Sequence, residues 1–347
     1  MTPLSSLQAR VHRFWQRRSL WHWPLLPLSA LVYWYTERKR RRYQHANLNK
    51  PSSKTPVIVV GNLIVGGAGK TPVTLALLHQ LRAHGYTPGV ISRGYGANIG
   101  AAPHASAHSK AASYLGDEPA LIAQTTHTPV VVHPQRVLAL QSMNAHFPEV
   151  DVVVSDDGLQ HRQLARNVEI IVQDQRGLGN GWVLPAGPLR ESPKVLAQAD
   201  LVITQGVGPN SLTTASHFSE VRMYLWPIRF YSLHQPDYSV QADEALTHWK
   251  DSKLAAAAAI GQPQRFFEML RQFGFSLTQQ LALPDHYDYA TPPFGAVHAD
   301  YIFITAKDAV KCRDLNDPRL WVVEAESVFS TPDWYQAVLS KLPPTTP

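Results

Sequence analysis

The run Gly61 to Pro72 (GNLIVGGAGKTP) constrains this chain more than any other feature. It continues an apolar stretch, Pro56 to Gly61 (PVIVVG), that reads as a short buried strand, and it leads into a helical pattern from about Thr71 to His84. A glycine-rich turn between strand and helix lets consecutive backbone N–H groups face one anion, and the helix N-terminus adds the positive end of its dipole. Lys70 then reaches the β- and γ-phosphates of ATP or GTP, and the Thr71 hydroxyl is placed to bind magnesium. Gly66, Gly67, Ala68, Gly69, Lys70, Thr71 and Pro72 are the expected nucleotide-binding residues. The loop is a variant, because the common G-x-x-x-x-G-K-[ST] spacing puts glycine where this chain has Ile64, and glycines fall at 66 and 67 instead. A purely structural turn is the competing reading, and the joint presence of strand, Gly-Lys-Thr and helix weighs against it.

Strand-like and helical stretches alternate beyond the loop. Thr87–Ser92, Thr128–Val132, Val150–Ser155, Val168–Val172 and Asp200–Thr204 read as strands, with helices at Pro119–Gln124 and Gln135–Asn144. This order predicts an α/β fold: a P-loop NTPase-like, mainly parallel sheet flanked by helices, with ligands at the carboxyl ends of the strands. The texture changes near residue 207. Met223–Tyr231 and Tyr238–Ala242 suggest antiparallel strands, and Leu254–Ile260, Leu281–Leu283, Tyr301–Thr305 and Leu320–Glu324 with the helix Pro263–Phe273 open a second, smaller α/β segment. The expected division is 1–46, 47–207 and 208–347, the last part packing back on the core.

The first segment is basic and aromatic. Arg10, Arg13, Arg17, Arg18 and the run Arg38 to Arg42 flank Leu20–Tyr35 (LWHWPLLPLSALVYWY), which holds His22, Pro24 and Pro27 and is too short for a good spanning helix. No cleavage-site pattern follows it, so it reads as a retained, membrane-associated helix lying in the headgroup region of an anionic membrane. An arm that binds nucleic acid is the alternative, disfavoured by so much Leu and Trp. The single cysteine, Cys312, excludes a disulfide framework and a cysteine zinc cluster, and a cytosolic active site is expected.

Several charged residues stand where strands should end. Val152–Gly158 (VVVSDDG) closes an apolar strand with Asp156 and Asp157, a Walker-B-like position for magnesium, although an isolated Asp-Asp-Gly is more often a turn. Asp117 and Glu118 in GDEP form a second acid pair, able to ligate metal or accept a proton from a hydroxyl, or simply to complement a helix N-terminus. Arg93, Arg136 and Arg190 lie in loops or loop–helix junctions and suit phosphate oxygens, though an arginine so placed is, by itself, more often a surface ion-pair residue. His286, among acids and aromatics, is a possible proton carrier only if folding brings it to the cleft.

Taken in order, VVGNLIVGGAGKTP (Val59–Pro72), SRGYG (Ser92–Gly96), GDEP (Gly116–Pro119), DDGLQHR (Asp156–Arg162), LPAGPLRE (Leu184–Glu191), GQPQRF (Gly261–Phe266), PDHY (Pro284–Tyr287) and TAKDAVK (Thr305–Lys311) resemble the tetraacyldisaccharide 4'-kinase family across nearly the whole chain. The resemblance implies transfer of the γ-phosphate of ATP to the 4'-hydroxyl of a tetraacylated glucosamine disaccharide 1-phosphate in lipid A biosynthesis. It implies a catalytic Asp117–His286 pair supported by Lys70, Asp156 and Asp157, with Thr71, Glu118 and Asp156 as magnesium ligands. It also makes Arg93, Arg136, Arg190, Glu191 and His161 candidate contacts to the substrate. The expected partners are the lipid and an anionic membrane surface at the cytoplasmic face of the Gram-negative inner membrane, with no nucleic acid and no obligate protein partner. A nucleotide switch that hydrolyses ATP without a sugar acceptor is the leading rival; a binding module with a degenerate nucleotide site is the other.

Overall fold

The computed structural model describes residues 11, 13–48, 55–212, 220–285 and 287–344. The first parallel array consists of β1 (Val57–Gly61), β2 (Pro88–Ser92), β4 (Val130–Val132), β5 (Val152–Asp156), β6 (Val168–Asp174) and β7 (Leu201–Gln205), in the order β7-β6-β1-β5-β2-β4. A two-residue strand β3 (His104–Ala105) closes the edge antiparallel to β4. The continuous Val/Ile runs follow from burial on both faces. Ile58 and Val60 enter one apolar cluster with Leu77, Leu78 and Leu81, whereas Val57 and Val59 enter another with Ala139 and Met143. Helix α2 (Lys70–Ala83) covers the first face and α4 (Arg136–His146) the second, while α3 (Asp117–Thr126) supplies Ala120, Ile122 and Ala123 to the first.

The remaining strands continue the same 13-stranded sheet. They are β8 (Glu220–Ser232), β9 (Ser239–Gln241), β10 (Leu254–Ala258), β11 (Leu277–Ala282), β12 (Tyr301–Thr305) and β13 (Leu320–Phe329). Strands β13, β12, β10 and β11 run parallel to one another in that order, and β13 pairs antiparallel with β8. The expected antiparallel strand at Met223–Tyr231 is present within β8, but its long partner is β13; β9 covers only Arg229–Tyr231. The short strand expected at Leu281–Leu283 begins earlier, at Leu277.

The β8–β13 ribbon decides where the two arrays point. β7 joins it at one end, through Val202↔Glu220 to Gln205↔Met223, and β12 joins at the other, through Ile302↔Leu320 to Thr305↔Val323. Each array ends its pairing while the ribbon runs on, so the carboxyl ends of β7 and β12 both face the ribbon's middle. A cleft of about 1040 Å³ lies there, floored by Leu225 and Val323–Ser327 and walled by the 67–72 loop on one side and by Gly261, Asp285 and Thr305–Lys307 on the other.

At the N-terminus a 3₁₀ turn, Leu20–Leu25, precedes α1 (Leu26–Leu48). Helix α1 docks through Ser29, which donates to the Val183 carbonyl (3.0 Å) and accepts from the Ala186 amide (2.9 Å), and through Val32 and Tyr33, which pack on Leu63, Ile64 and Leu159. Its outer side leaves Leu28, Leu31, Trp34 and Tyr35 exposed, beside Leu20, Trp21 and Trp23 of the turn. None of the described helices is long and apolar enough to cross a membrane.

Candidate functional site

The phosphate loop is built by glycine geometry and by one asparagine. Gly66 (φ 95°) and Gly69 (φ 81°) take left-handed backbone conformations that an L side chain adopts only at a cost. Asn62, fully buried at the end of β1, donates through Nδ2 to the carbonyls of Ile64 (2.8 Å) and Gly66 (3.1 Å), holding the loop closed. Its Oδ1 accepts from Lys70 Nζ at 3.4 Å. Lys70 opens α2, and its ammonium also lies 3.3 Å from Asp157 Oδ1. The loop residues singled out by sequence, from Gly67 to Pro72, line the cleft.

Acidic groups converge beside this loop. Thr71 Oγ1 donates to Glu118 Oε2 at 3.2 Å, and Thr74 Oγ1, one turn on, donates to Asp156 Oδ1 at 3.5 Å. Asp156 ends β5 and is buried, so its carboxyl is raised to about 7, chiefly by burial and then by the nearby charge of Glu118. Asp157, at φ 50°, is held below the ordinary carboxylate range: burial raises it, but the Lys70 and Arg190 charges outweigh that effect. Arg190 Nη1 sits 3.3 Å from Asp157 Oδ1. The set of hard oxygens at Thr71, Glu118 and Asp156, crowded with like charge, fits a magnesium ion. Among the described residues no three His, Cys, Asp or Glu side chains form a closed metal cage.

Asp117 and Glu118 begin α3, where two carboxylates complement the helix dipole. From the facing array, α6 (Ala306–Cys312) sends Lys311 Nζ to within 2.5 Å of Asp117 Oδ2 and Lys307 Nζ to within 2.9 Å of Glu118 Oε1. His286 lies outside the described residues; Asp285 lines this side of the cleft with its Oδ1 3.7 Å from Lys307 Nζ, and the Tyr287 carbonyl accepts from Lys311 Nζ at 3.2 Å.

The two arrays also touch through the phosphate loop itself. Gln262, just before α5 (Pro263–Phe273), donates to the Gly67 carbonyl (2.9 Å) and to Asp174 Oδ2 (2.7 Å), and Arg176 donates to the same carbonyl at 2.7 Å. Arg265 binds Gln205 through both its side chain (2.9 Å) and its carbonyl (3.0 Å). A Cβ on Gly261 would stand 3.3 Å from the Gly67 amide nitrogen, so glycine at 261 permits the close approach.

Two of the residues expected to meet substrate are placed otherwise. Arg136 is 2% exposed, and its guanidinium donates to the carbonyls of His133 (2.9 Å), Asp156 (3.3 Å) and Asp157 (3.5 Å). It braces the Asp156–Asp157 turn from beneath and has no open side for a phosphate. Glu191 is buried against Arg162 Nη2 at 2.5 Å, in a network that continues through Glu169 to Arg166. A loop arginine and an acid in a short motif read alike whether they face a ligand or the interior; burial separates them. Arg93 is exposed, Arg190 is partly exposed beside Asp157, and His161 is half-buried. The His161 imidazole is lowered to about 4 by burial first and then by the Arg136 charge, with smaller contributions from Arg93 and Lys39. The sequence analysis gave no individual role to Asn62, Asp174, Gln262, Lys307 or Lys311. All but Asp174 stand within the motifs quoted there, and the two lysines add a four-residue spacing directly after a strand.

A family model described as tetraacyldisaccharide-1-P 4'-kinase matches residues 21–343. Proteins named tetraacyldisaccharide 4'-kinase are similar over almost the full length. The one from Bordetella petrii is 46% identical over 351 residues, covering 98% of each chain. That from Bordetella parapertussis is 45% identical over 336 residues, covering 96% of this chain and 97% of the relative. Among solved structures, LpxK from Aquifex aeolicus in complex with ATP aligns with a TM-score of 0.75 at 24% identity, covering 93% of this chain and all of that one, and thereby supports the same fold. The chain belongs to the tetraacyldisaccharide-1-P 4'-kinase family.

Proposed function

With that membership as the premise, we propose that the protein transfers the γ-phosphate of ATP to the 4'-hydroxyl of a tetraacylated glucosamine disaccharide 1-phosphate, giving the 1,4'-bisphosphate. The observation that carries the reading is the convergence of Lys70 and Thr71 with the acids Asp117, Glu118, Asp156 and Asp157 at the facing carboxyl ends of the two strand arrays.

In this reading the loop amides and Lys70 hold the β- and γ-phosphates, Lys70 exchanging Asp157 for phosphate oxygen. Thr71, Glu118 and Asp156 would hold magnesium, which neutralises charge on the phosphate oxygens when bound. Asp117, oriented by His286, takes the proton of the attacking hydroxyl. Arg190, Arg93 and His161 bind the sugar or its phosphate. His161 is neutral at pH 7 and serves as a hydrogen-bonding group. Positioning and charge neutralisation supply most of the rate. Asp117 and His286 belong to different segments of the sequence, so we divide the chain into a kinase core, 47–207, and a second unit, 208–347, whose closure assembles the site.

The exposed Leu20, Trp21, Trp23, Leu31, Trp34 and Tyr35, followed on α1 by the exposed Arg38, Arg41 and Arg42, support contact of segment 1–46 with anionic lipid at the cytoplasmic face of the inner membrane. Acyl chains then remain in the bilayer while the sugar enters the cleft. The test is transfer of label from γ-labelled ATP to the tetraacyldisaccharide 1-phosphate in detergent micelles. Labelled lipid with wild type, lost in Lys70→Ala, Asp117→Ala and His286→Ala, is the expected result. ATP hydrolysis by wild type without labelled lipid would favour a nucleotide switch.

A further inference from the structure

Resting on the kinase reading, we propose that Lys307 and Lys311 are positioning residues for the transfer: from the second array they set the Asp117–Glu118 pair against Asp285 and Tyr287. Helix α6 is a fixed mount for them. Thr305 Oγ1 accepts from the Asp308 amide (3.1 Å) and donates to Asp308 Oδ2 (2.7 Å). Asp308, 2% exposed, also accepts from the Ala259 amide at 3.2 Å, so α6 is tied to the end of β10 as well as to β12.

Lys307 and Lys311 stand one turn apart on one side of this helix and therefore address neighbouring points. Each takes one carboxylate of the adjacent acid pair and one further group, Asp285 for Lys307 and the Tyr287 carbonyl for Lys311. Lys307 Nζ lies 2.9 Å from Glu118 Oε1 and 3.7 Å from Asp285 Oδ1. Lys311 Nζ lies 2.5 Å from Asp117 Oδ2 and donates to the Tyr287 carbonyl at 3.2 Å. Both side chains are largely shielded, at 15% and 14% exposure, so two flexible stems are held in single arrangements across the cleft. The Lys307 ammonium is favoured by Glu118 and Asp285 despite burial.

The geometry gives the pair a function distinct from that of Lys70, which approaches Asp157 from the opposite wall. Two carboxylates at consecutive positions repel and splay; a cation on each fixes their separation and direction. Because the same cations hold Asp285 and the Tyr287 carbonyl, the acid pair and the second array come into register as a unit. Glu118 is also the acceptor for Thr71, so Lys307 indirectly sets the hydroxyl at the second residue of α2.

The experiment uses the full chain with ATP and tetraacyldisaccharide 1-phosphate in micelles. It compares wild type with Lys307→Met, Lys311→Met, both Arg variants, and Lys311→Ala with and without ethylamine. Misplacement of a reacting group by about 1 Å costs about a hundredfold in rate, so Lys311→Met should lower kcat on that scale with KM for ATP changed by less than about twofold. Lys307→Met should act in the same direction by about tenfold. Arg at either position, and ethylamine with Lys311→Ala, should recover much of the rate, because they return a cation. A kcat within about twofold of wild type in both Met variants would overturn the proposal. So would a loss that follows falling melting temperature and recovers with neither Arg nor amine, which marks a merely structural clasp. Wild-type protein that labels no lipid would instead reject the kinase reading underneath.

Discussion

Replacing Gly69 by alanine tests whether the phosphate loop is as tightly clamped as its contacts imply. The residue has φ 81°, and a Cβ built there falls 1.6 Å from Gln205 Oε1 and 2.6 Å from its Cδ. Gln205 has little freedom to yield, since it is 5% exposed and Arg265 binds both its side chain and its carbonyl. The left-handed backbone costs alanine about 1–2 kcal/mol, and displacing Gln205 breaks a hydrogen bond to a charged donor worth about 1.5–3 kcal/mol. The expected total is about 2.5–5 kcal/mol. Gly177 is the control, with φ 54° and no atom within 4 Å of a built Cβ, so Gly177→Ala bears only the backbone part. Urea unfolding of the two variants should therefore differ by the Gln205 contribution. If the loop shifts instead of resisting, the same free energy appears as weaker ATP binding, about tenfold for each 1.4 kcal/mol. Calorimetric titration with ATP measures that share. A Gly69→Ala protein as stable as Gly177→Ala and with wild-type ATP affinity would show that Gln205 moves aside freely, and the argument from the contact would fail.

Three further outcomes are expected. Arg136→Ala should destabilise the protein by about 3 kcal/mol in urea unfolding, because it leaves buried carbonyls at Asp156 and Asp157 without their donor; a change under about 0.5 kcal/mol would mean water replaces it. His161 has a folded-state pKa of about 4 against an ordinary 6.5, so the unfolded chain takes this proton first and stability from this group is lost as pH falls from 6.5 through 4. Burial raises Asp156 and works in the opposite direction over the acid range, so the readable quantity is the difference between wild type and His161→Gln, whose stability should decline less between pH 7 and 4.5; parallel profiles would refute the assignment. Finally, Trp21→Ser with Trp23→Ser and Trp34→Ser should weaken sedimentation with anionic vesicles by at least about tenfold while leaving the melting temperature unchanged, since all three rings face solvent. Unchanged sedimentation would remove the aromatic surface from the membrane reading.

What the sequence determined by itself is what a few adjacent residues encode. The phosphate loop was legible because strand, glycines, Lys70 and helix follow one another without interruption, and the first array because its Val/Ile runs alternate with helical patterns. The acids Asp117, Glu118, Asp156 and Asp157 were legible because such strands deliver loop residues to one edge. The ordered motifs likewise sufficed to place the chain in its family. Tertiary structure alone decided the rest. The pairing of Tyr231 with Val322 joins segments far apart in the chain, and it is this β8–β13 ribbon that turns two parallel arrays to face each other across a cleft. Whether an arginine such as Arg136 serves a ligand or a buried turn depends on which surfaces cover it, as does the reach of Lys307 and Lys311 to acids on another helix. Local patterns fix backbone hydrogen bonding within a turn or strand; the direction and solvent exposure of a side chain belong to the assembled sheet.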